Sequence, residues 1–156
     1  MITFAKAITS GYQPLGGVFV GGAVRGPLES DPGYVLKTGY TYSGHATACA
    51  AGLANLAIME REDLLGEAKR IGTRLGDGLK ALAADGIVDH ARGDLGVWAV
   101  GMKQGQDAVK IRDRMLELGV ITRAIADHSN TFCPPLVITD GEIDRIIDAL
   151  ATAAGE

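Results

Sequence analysis

The chain has 156 residues, enough for one domain with a hydrophobic core or for parts of two larger domains. Hydrophobic residues make up 47% and charged residues 22%, a mixture typical of folded proteins, which excludes a disordered chain. The formal net charge is -4 with both signs interspersed, so the sequence offers no basic surface. We therefore expect neither a nucleic-acid nor a membrane partner.

Cysteine usage and hydropathy favour a cytoplasmic setting. Cys49 and Cys133 are too few and too far apart for a disulfide framework or a metal site. No basic-then-apolar leader precedes the first motif. The most apolar stretch, 49–59, is too short to span a bilayer and contains Asn55. The sequence predicts a reduced protein without an export signal.

The first part of the chain alternates short apolar segments with glycine-rich loops. Residues 2–4 and 17–21 are predicted strands, and the loop between them carries Lys6. Residues 24–30 are predicted to form one or two helical turns. The segment 38–46 is dense in hydroxyls and glycine, and it precedes a predicted helix at 47–60 that is rich in small residues.

The second part contains three amphipathic patterns separated by strand-like segments. A stripe that begins at Leu64 predicts a helix ending before Gly86, and a capping box at Thr139 and Glu142 predicts the start of the last helix. The remaining predicted elements are strands 87–88 and 97–100 with Arg92-Gly93-Asp94 between them, a helix at 107–118, and strands 120–125 and 131–133. This alternation indicates an α/β or α+β class.

Lys6 is the first candidate for chemistry. A lysine amine becomes reactive when a shielded site holds it neutral and lets it condense with a carbonyl. The glycines of the following loop allow a ligand close to the backbone, and Pro14 stiffens that loop. The alternative is an ordinary solvated surface lysine, which is the usual state of this residue type.

The segment 39–45 offers hydroxyls and backbone N–H groups ahead of a helix N-terminus, where phosphate is favoured. The alternative is an N-cap loop in which Ser43 or Thr47 satisfies the free amides. His45 has no second ligand at metal spacing, so we expect it to be a packed or hydrogen-bonded loop residue.

Arg123 is the third candidate, because alternation places it on one strand face with Ile121 and Ile125. A guanidinium on an apolar face indicates a carboxylate or phosphate ligand bound in bidentate fashion. Two alternatives remain open. The side chain would reach solvent from an edge strand, or it would pair with an internal acid such as Asp127.

Three segments in this order resemble the class III aminotransferases, which depend on pyridoxal 5'-phosphate. They are FAKAITSGYQPLGG, YTYSGHATACAAGLANL and ITRAIADHSNTFCPPLVITDGEID, and with their spacing they cover essentially the whole chain. The resemblance implies that residues 1–46 end the large cofactor domain of a fold-type I transferase. It also implies a connecting helix at 47–62 and a small α+β C-terminal domain at 63–156.

The resemblance also implies roles for the candidate residues. Lys6 would form a Schiff base with pyridoxal phosphate and move a proton between the substrate Cα and the cofactor. Tyr40 or Thr41 would bind the cofactor phosphate across the interface of a homodimer. Arg123 would bind the substrate carboxylate. Ala46 departs from the family, which usually has proline after the histidine.

The reaction implied is amino transfer from an amine or ω-amino acid to a keto acid, either pyruvate or 2-oxoglutarate. An aminomutase or decarboxylase of the same fold would use Lys6 as well. In the family, the aspartate that pairs with the pyridine nitrogen and the aromatic that stacks on the ring precede the lysine, so we expect this chain to be the C-terminal part of a longer protein. The alternative for the isolated chain is a catalytically silent product with a structural or dimerisation role.

Overall fold

The computed structural model describes all 156 residues and divides into two compact units, an N-terminal unit (Met1–Glu62) and a C-terminal unit (Asp63–Glu156). The predicted mixture of strands and helices is confirmed in both units. None of the helices combines the length and the apolar character that a membrane crossing requires.

The N-terminal unit consists of a hairpin, a short 3₁₀ helix and two α-helices. β1 (Ile2–Ala5) pairs antiparallel with β2 (Gly16–Phe19), and Lys6–Thr9, here called the lysine turn, follows β1 directly. Phe4 lies opposite Gly17 and its ring covers that glycine, because a Cβ there would overlap the ring. The two α-helices of this unit are α1 (Gly22–Glu29) and α2 (Ala46–Arg61).

The N-terminal unit buries few side chains. Only Thr9, Ala48 and Gly52 are buried in it, so it has no hydrophobic core of its own. Large apolar side chains are instead exposed on both strands, on the loop between the helices and on α2. Examples are Ile2, Phe19, Val35, Leu36 and Leu53.

The C-terminal unit is a four-stranded antiparallel sheet covered by three helices. The strand order is β3-β4-β6-β5. Its elements are α3 (Leu64–Ala84), β3 (His90–Asp94), β4 (Val97–Gly101), α4 (Ala108–Glu117), β5 (Arg123–Ile125), β6 (Ser129–Phe132) and α5 (Asp140–Gly155).

The apolar stripe of α3 supplies the centre of the core. Ile71, Leu75 and Leu79 are fully buried, and their spacing of four residues places them on one helix face. Gly76 lies on the same face and allows the ring of Trp98 on β4 to pack directly against the helix backbone. The buried cluster continues through α4, β6 and α5, with Met115, Phe132, Ile143 and Leu150 among its members.

The last helix begins as predicted. The Thr139 hydroxyl accepts a hydrogen bond from the Glu142 backbone N–H, and the Glu142 carboxylate accepts one from the Thr139 backbone N–H at 2.8 Å. This reciprocal arrangement satisfies amides that the first helical turn leaves without partners. The predicted capping box is therefore confirmed.

Three strand predictions differ from the structure. Residues 87–88 are not a strand: Val88 is apolar because it is buried in the core, and pairing begins only at His90, opposite Gly101. Arg92-Gly93-Asp94 consequently lies within β3, and the reversal falls at Leu95, whose φ is 49°.

The predicted strand at 120–125 is shorter in the structure. The Val120 N–H donates to the Met115 carbonyl at the end of α4, so ladder pairing starts at Arg123. The last predicted strand, 131–133, lies two residues earlier at its start, at Ser129–Phe132.

Candidate cofactor and substrate site

Lys6 begins the lysine turn with a left-handed backbone. Its φ is 54°, while the preceding Ala5 is extended and Ser10 at the end of the turn again has a positive φ of 49°. A left-handed conformation costs a residue with a side chain about 1–2 kcal/mol and clusters at functional sites. The Lys6 side chain is exposed, and its amine forms no hydrogen bond or ion pair within the chain. The turn therefore presents a single free amine.

Asn55 on α2 holds the lysine turn in place. Its Nδ2 donates to the carbonyls of Ala7 and Ile8 at 3.0 and 3.3 Å, and its Oδ1 accepts from the Ser10 hydroxyl at 2.6 Å. Gly52, one turn earlier on the helix, faces Ile8 and Leu15. Since one amide side chain binds two carbonyls of the turn and the hydroxyl of the residue after it, α2 determines the position of the backbone that carries Lys6.

Thr41 lies in the turn that precedes α2. The Tyr40 N–H donates to the Ser43 hydroxyl at 3.0 Å, and the Ser43 N–H donates to the Tyr40 carbonyl at 2.9 Å. The N–H and hydroxyl of Thr41, by contrast, form no hydrogen bond within the chain. Of the two residues predicted to bind phosphate, only Thr41 has a backbone donor available.

His45 caps α2. Its Nδ1 accepts from the Ala48 N–H at 3.4 Å, so the ring takes the capping role that the sequence had suggested for Ser43 or Thr47. The prediction of a hydrogen-bonded loop histidine is confirmed. Ala46 is the first residue of the helix, a position where proline is also well tolerated because its missing N–H is not needed there.

Arg123 lies on β5, one of the two edge strands of the sheet in the C-terminal unit. The predicted strand face is only partly present, because Ile121 precedes β5 and only Ile125 lies on the strand with Arg123. Neither isoleucine is part of the core: Ile121 is 88% exposed and Ile125 40%. Arg123 forms no ion pair with Asp127, whose carboxylate contacts His128 at 3.1 Å. The other alternative agrees with the structure, because Arg123 is exposed and lies on an edge strand. The guanidinium of Arg123 has no carboxylate partner in the chain, so it is free to bind one.

The groups of the N-terminal unit fit the cofactor that the resemblance implies. Pyridoxal phosphate carries an aldehyde and a phosphate. The free amine of Lys6 suits the aldehyde, and the unpartnered hydroxyl and N–H of Thr41, ahead of a helix N-terminus, suit the phosphate. Lys6 and Thr41 belong to this unit, while Arg123 belongs to the other.

Sequence reasoning missed Asn55 and Thr9. Asn55 was conspicuous only as a polar residue in an apolar helix, and its partners lie 45 to 48 positions away in sequence. Thr9 is 2% exposed and donates to the Gln13 carbonyl at 2.5 Å, which closes the loop after the lysine turn. In the sequence, the signal that could have identified Asn55 is its polar side chain within an apolar helical stretch.

Comparison with known proteins identifies the family of the chain. Residues 1–154 match the family model described as aminotransferase class-III. The chain is 41% identical to a diaminobutyrate–2-oxoglutarate transaminase of Halomonas elongata, over 94% of this chain and 34% of that protein.

Solved structures give the same result. A PLP-bound amine transaminase from an uncultivated Pseudomonas species superposes with a TM-score of 0.89 at 34% identity, covering 98% of this chain and 37% of its own. A transaminase from directed evolution by ancestral reconstruction gives 0.90 at 36% identity, with the same coverage of 98% and 37%. These matches confirm the predicted fold class. The chain spans about a third of the length of the proteins it matches.

Proposed function

The chain belongs to the class III aminotransferases, and from that premise we propose that Lys6 and Thr41 are its contribution to cofactor binding and that Arg123 is its contribution to substrate binding. Residues 1–46 close the large cofactor domain, 47–62 form a connecting helix, and 63–156 form the small domain. The observation that carries the proposal is the lysine turn. A strained, uncovered lysine follows a strand, and a side chain from a separate helix fixes its backbone.

In this proposal, Lys6 is the proton carrier. When bound, pyridoxal phosphate acts as an electron sink for the carbon that bears the amino group. The Lys6 amine removes the proton from that substrate carbon and delivers it to the cofactor. One group thus acts first as a general base and then as a general acid. Asn55 is a positioning residue, because it fixes the turn without reaching the reacting atoms.

Thr41 is the phosphate ligand. Its hydroxyl and N–H are two donors on one residue, and neither is used within the chain. The Tyr40 N–H is already bonded to Ser43, so we assign the phosphate contact to Thr41 alone. In the whole protein this contact would be made across a homodimer.

Arg123 takes the substrate carboxylate. A guanidinium binds a carboxylate with two parallel hydrogen bonds, and this one has no competing acid in the chain. The whole protein would transfer an amino group from an amine or ω-amino acid to pyruvate or 2-oxoglutarate, and it would act in the cytoplasm. The name of the Halomonas elongata relative, which contains diaminobutyrate and 2-oxoglutarate, is compatible with this class of substrates.

A second candidate is that the isolated chain is catalytically silent. The exposure of Lys6 favours this for the 156 residues alone, because water surrounds the amine and nothing in the N-terminal unit shields it. We expect no alanine formation from pyruvate and an amine donor when the chain is mixed with pyridoxal phosphate. Turnover that is lost in Lys6→Ala would contradict this expectation.

The assignment of Lys6 is tested by borohydride reduction in the presence of pyridoxal phosphate, followed by peptide mass mapping. Lys37 is a matched control, since it is an exposed lysine of the same unit that lies outside the lysine turn. We expect the pyridoxyl mass on Lys6 in preference to Lys37, and its loss in Lys6→Arg. Equal labelling of the two lysines would overturn the assignment. Asn55→Ala should reduce the preference while leaving Lys37 unchanged.

A further inference from the structure

A cleft in the C-terminal unit lies between the end of α4, the segment after β6 and the first turns of α5. Its volume is about 530 Å³, within the range of small-molecule sites. The walls are mainly apolar and include Ile121, Phe132, Val137 and Ile146. Ile121 and Val137 are 88% and 71% exposed, so the apolar wall is open to a ligand. Arg123 does not line this cleft.

Arg145 provides the positive charge of the cleft. Its Nη2 donates to the Leu118 carbonyl at 3.0 Å, and the guanidinium lies over Gly119, where a Cβ would occupy the same space. One hydrogen bond and a glycine surface thus hold the group in place. Its other N–H donors have no acceptor in the chain, and no carboxylate pairs with it, unlike Arg70, Arg74 and Arg114. A guanidinium held this way is available for a carboxylate.

Glu142 provides a negative charge in the same cleft. It lies one helical turn before Arg145, yet the two form no ion pair because the carboxylate turns back to cap α5. Both capping hydrogen bonds, from the Thr139 N–H and hydroxyl, go to Oε2, and Oε1 has no partner. These bonds lower the pKa of Glu142, so the group is ionised at neutral pH.

We propose that this cleft binds an apolar α-amino acid. The ligand's carboxylate binds Arg145, its ammonium binds the free oxygen of Glu142, and its side chain lies against the exposed side chains of Ile121 and Val137. One cation and one anion, both held by the protein and not by each other, complement a zwitterion better than a simple carboxylate or a simple amine. The site lies wholly in the C-terminal unit and does not depend on Lys6. A negative result for this cleft would therefore leave the proposed transaminase chemistry untouched, and the reverse also holds.

The first test is calorimetric titration of the 156-residue chain with L-leucine. Three ligands dissect the contacts: L-alanine lacks the apolar chain, 4-methyl-2-oxopentanoate lacks the ammonium, and 3-methylbutylamine lacks the carboxylate. We expect leucine to bind in about the millimolar range or tighter and each of the three to bind about tenfold more weakly. Absence of leucine binding up to about 20 mM, or equal affinity for leucine and the amine, would overturn the proposal.

Two variants keep the fold and remove one charge each. Arg145→Gln should weaken leucine binding about tenfold or more. Arg112→Gln changes a half-buried arginine of α4 that pairs with Asp113 outside the cleft, and it should leave leucine binding unchanged. Glu142→Gln retains a capping side chain, so it should weaken leucine while leaving 4-methyl-2-oxopentanoate unaffected or tighter. Unchanged leucine affinity in Arg145→Gln would overturn the proposed contact.

Cys133 supplies an independent readout, because this exposed thiol lines the cleft. Leucine should slow the alkylation of Cys133 by iodoacetamide and leave that of Cys49, which lies in the N-terminal unit, unchanged. The slowing should disappear in Arg145→Gln. Equal slowing at both cysteines, or none at Cys133 under saturating leucine, would show that the ligand does not occupy the cleft.

Discussion

The two units of this chain differ in how they bury apolar surface. In the C-terminal unit, a continuous cluster from Ile71 to Ala153 is closed between three helices and a four-stranded sheet. The N-terminal unit has only three buried residues and leaves side chains such as Phe19, Leu36 and Leu53 exposed. The unit that carries the lysine is thus the one without a core.

The apolar core that stabilises the chain and the lysine turn that carries its reactive amine therefore lie in different units. Burial of apolar area is the dominant favourable term in folding, and the C-terminal unit supplies nearly all of it. The lysine turn is held chiefly by polar contacts from Asn55 and by short-range bonds such as that of Thr9.

The largest expected effect comes from separating the units. Residues 63–156 expressed alone should unfold in one cooperative thermal transition, because their core is complete within those residues. Residues 1–62 alone should show no cooperative transition. Circular dichroism melting of both pieces measures this. A sharp transition in 1–62 would contradict the claim that the N-terminal unit lacks a core of its own.

A matched pair of leucine substitutions gives the next largest effect. Leu75→Ala on α3 removes a fully buried side chain and should cost about 2–5 kcal/mol in the free energy of unfolding. Leu53→Ala on α2 removes a side chain that is 69% exposed and should change it by less than about 0.5 kcal/mol. Urea unfolding measures both. A similar loss for Leu53 would show that α2 is already covered, for example by a second copy of the chain.

A pair of glycine substitutions tests packing against helix backbones. Gly76→Ala would drive a Cβ into the Trp98 ring and should destabilise the chain by about 1–3 kcal/mol. In Gly52→Ala the closest contact of the new Cβ would be the flexible end of the Leu15 side chain at 3.0 Å, and its contacts with Ile8 would be ordinary van der Waals contacts at 3.7 Å or more. Alanine also favours the helix. We therefore expect a change below about 1 kcal/mol. Equal destabilisation in urea unfolding would mean that both helices pack equally tightly.

The smallest effect is a pH dependence confined to the C-terminal unit. Hydrogen bonds from the backbone N–H and the hydroxyl of Thr139 hold the pKa of Glu142 below its usual value of 4.5. A lowered folded-state pKa contributes stability above the unfolded value, and that stability is lost as the pH falls through the lowered pKa. The urea midpoint of the wild type should therefore fall further between pH 6 and pH 3 than that of Glu142→Gln. The lower limit, pH 3, lies about one unit or more below the usual pKa of a glutamate. An identical fall in both would contradict the role of this cap.

The sequence predicted the features that depend on neighbouring residues. The strand before Lys6, the capping box at Thr139 and the buried stripe of α3 follow from local pattern and short-range hydrogen bonding, and the structure confirms all three. The protein family could also be predicted from the sequence, because each of the three motifs that resemble it is a contiguous segment.

The features that the sequence did not predict depend on contacts between distant segments. Val88 is apolar because it enters the core from a loop, and apolar composition alone cannot distinguish that from a strand. The predicted alternation around Arg123 applies only from Arg123 to Ile125, because Ile121 lies before the strand. Whether that face meets a core or solvent depends on β5 being an edge strand. The hydrogen bonds of Asn55 to the lysine turn form only because the fold brings together residues that are 45 to 48 positions apart in sequence.

Hydrogen–deuterium exchange of the intact chain, resolved by peptide, tests the contrast between the units most directly. We predict strong protection in α3, β4, β6 and α5, and rapid exchange in β1, β2 and α2, because amides without a packed core open locally at low free-energy cost. Equal protection of the two groups of peptides would contradict the claim that the unit bearing Lys6 lacks a core of its own.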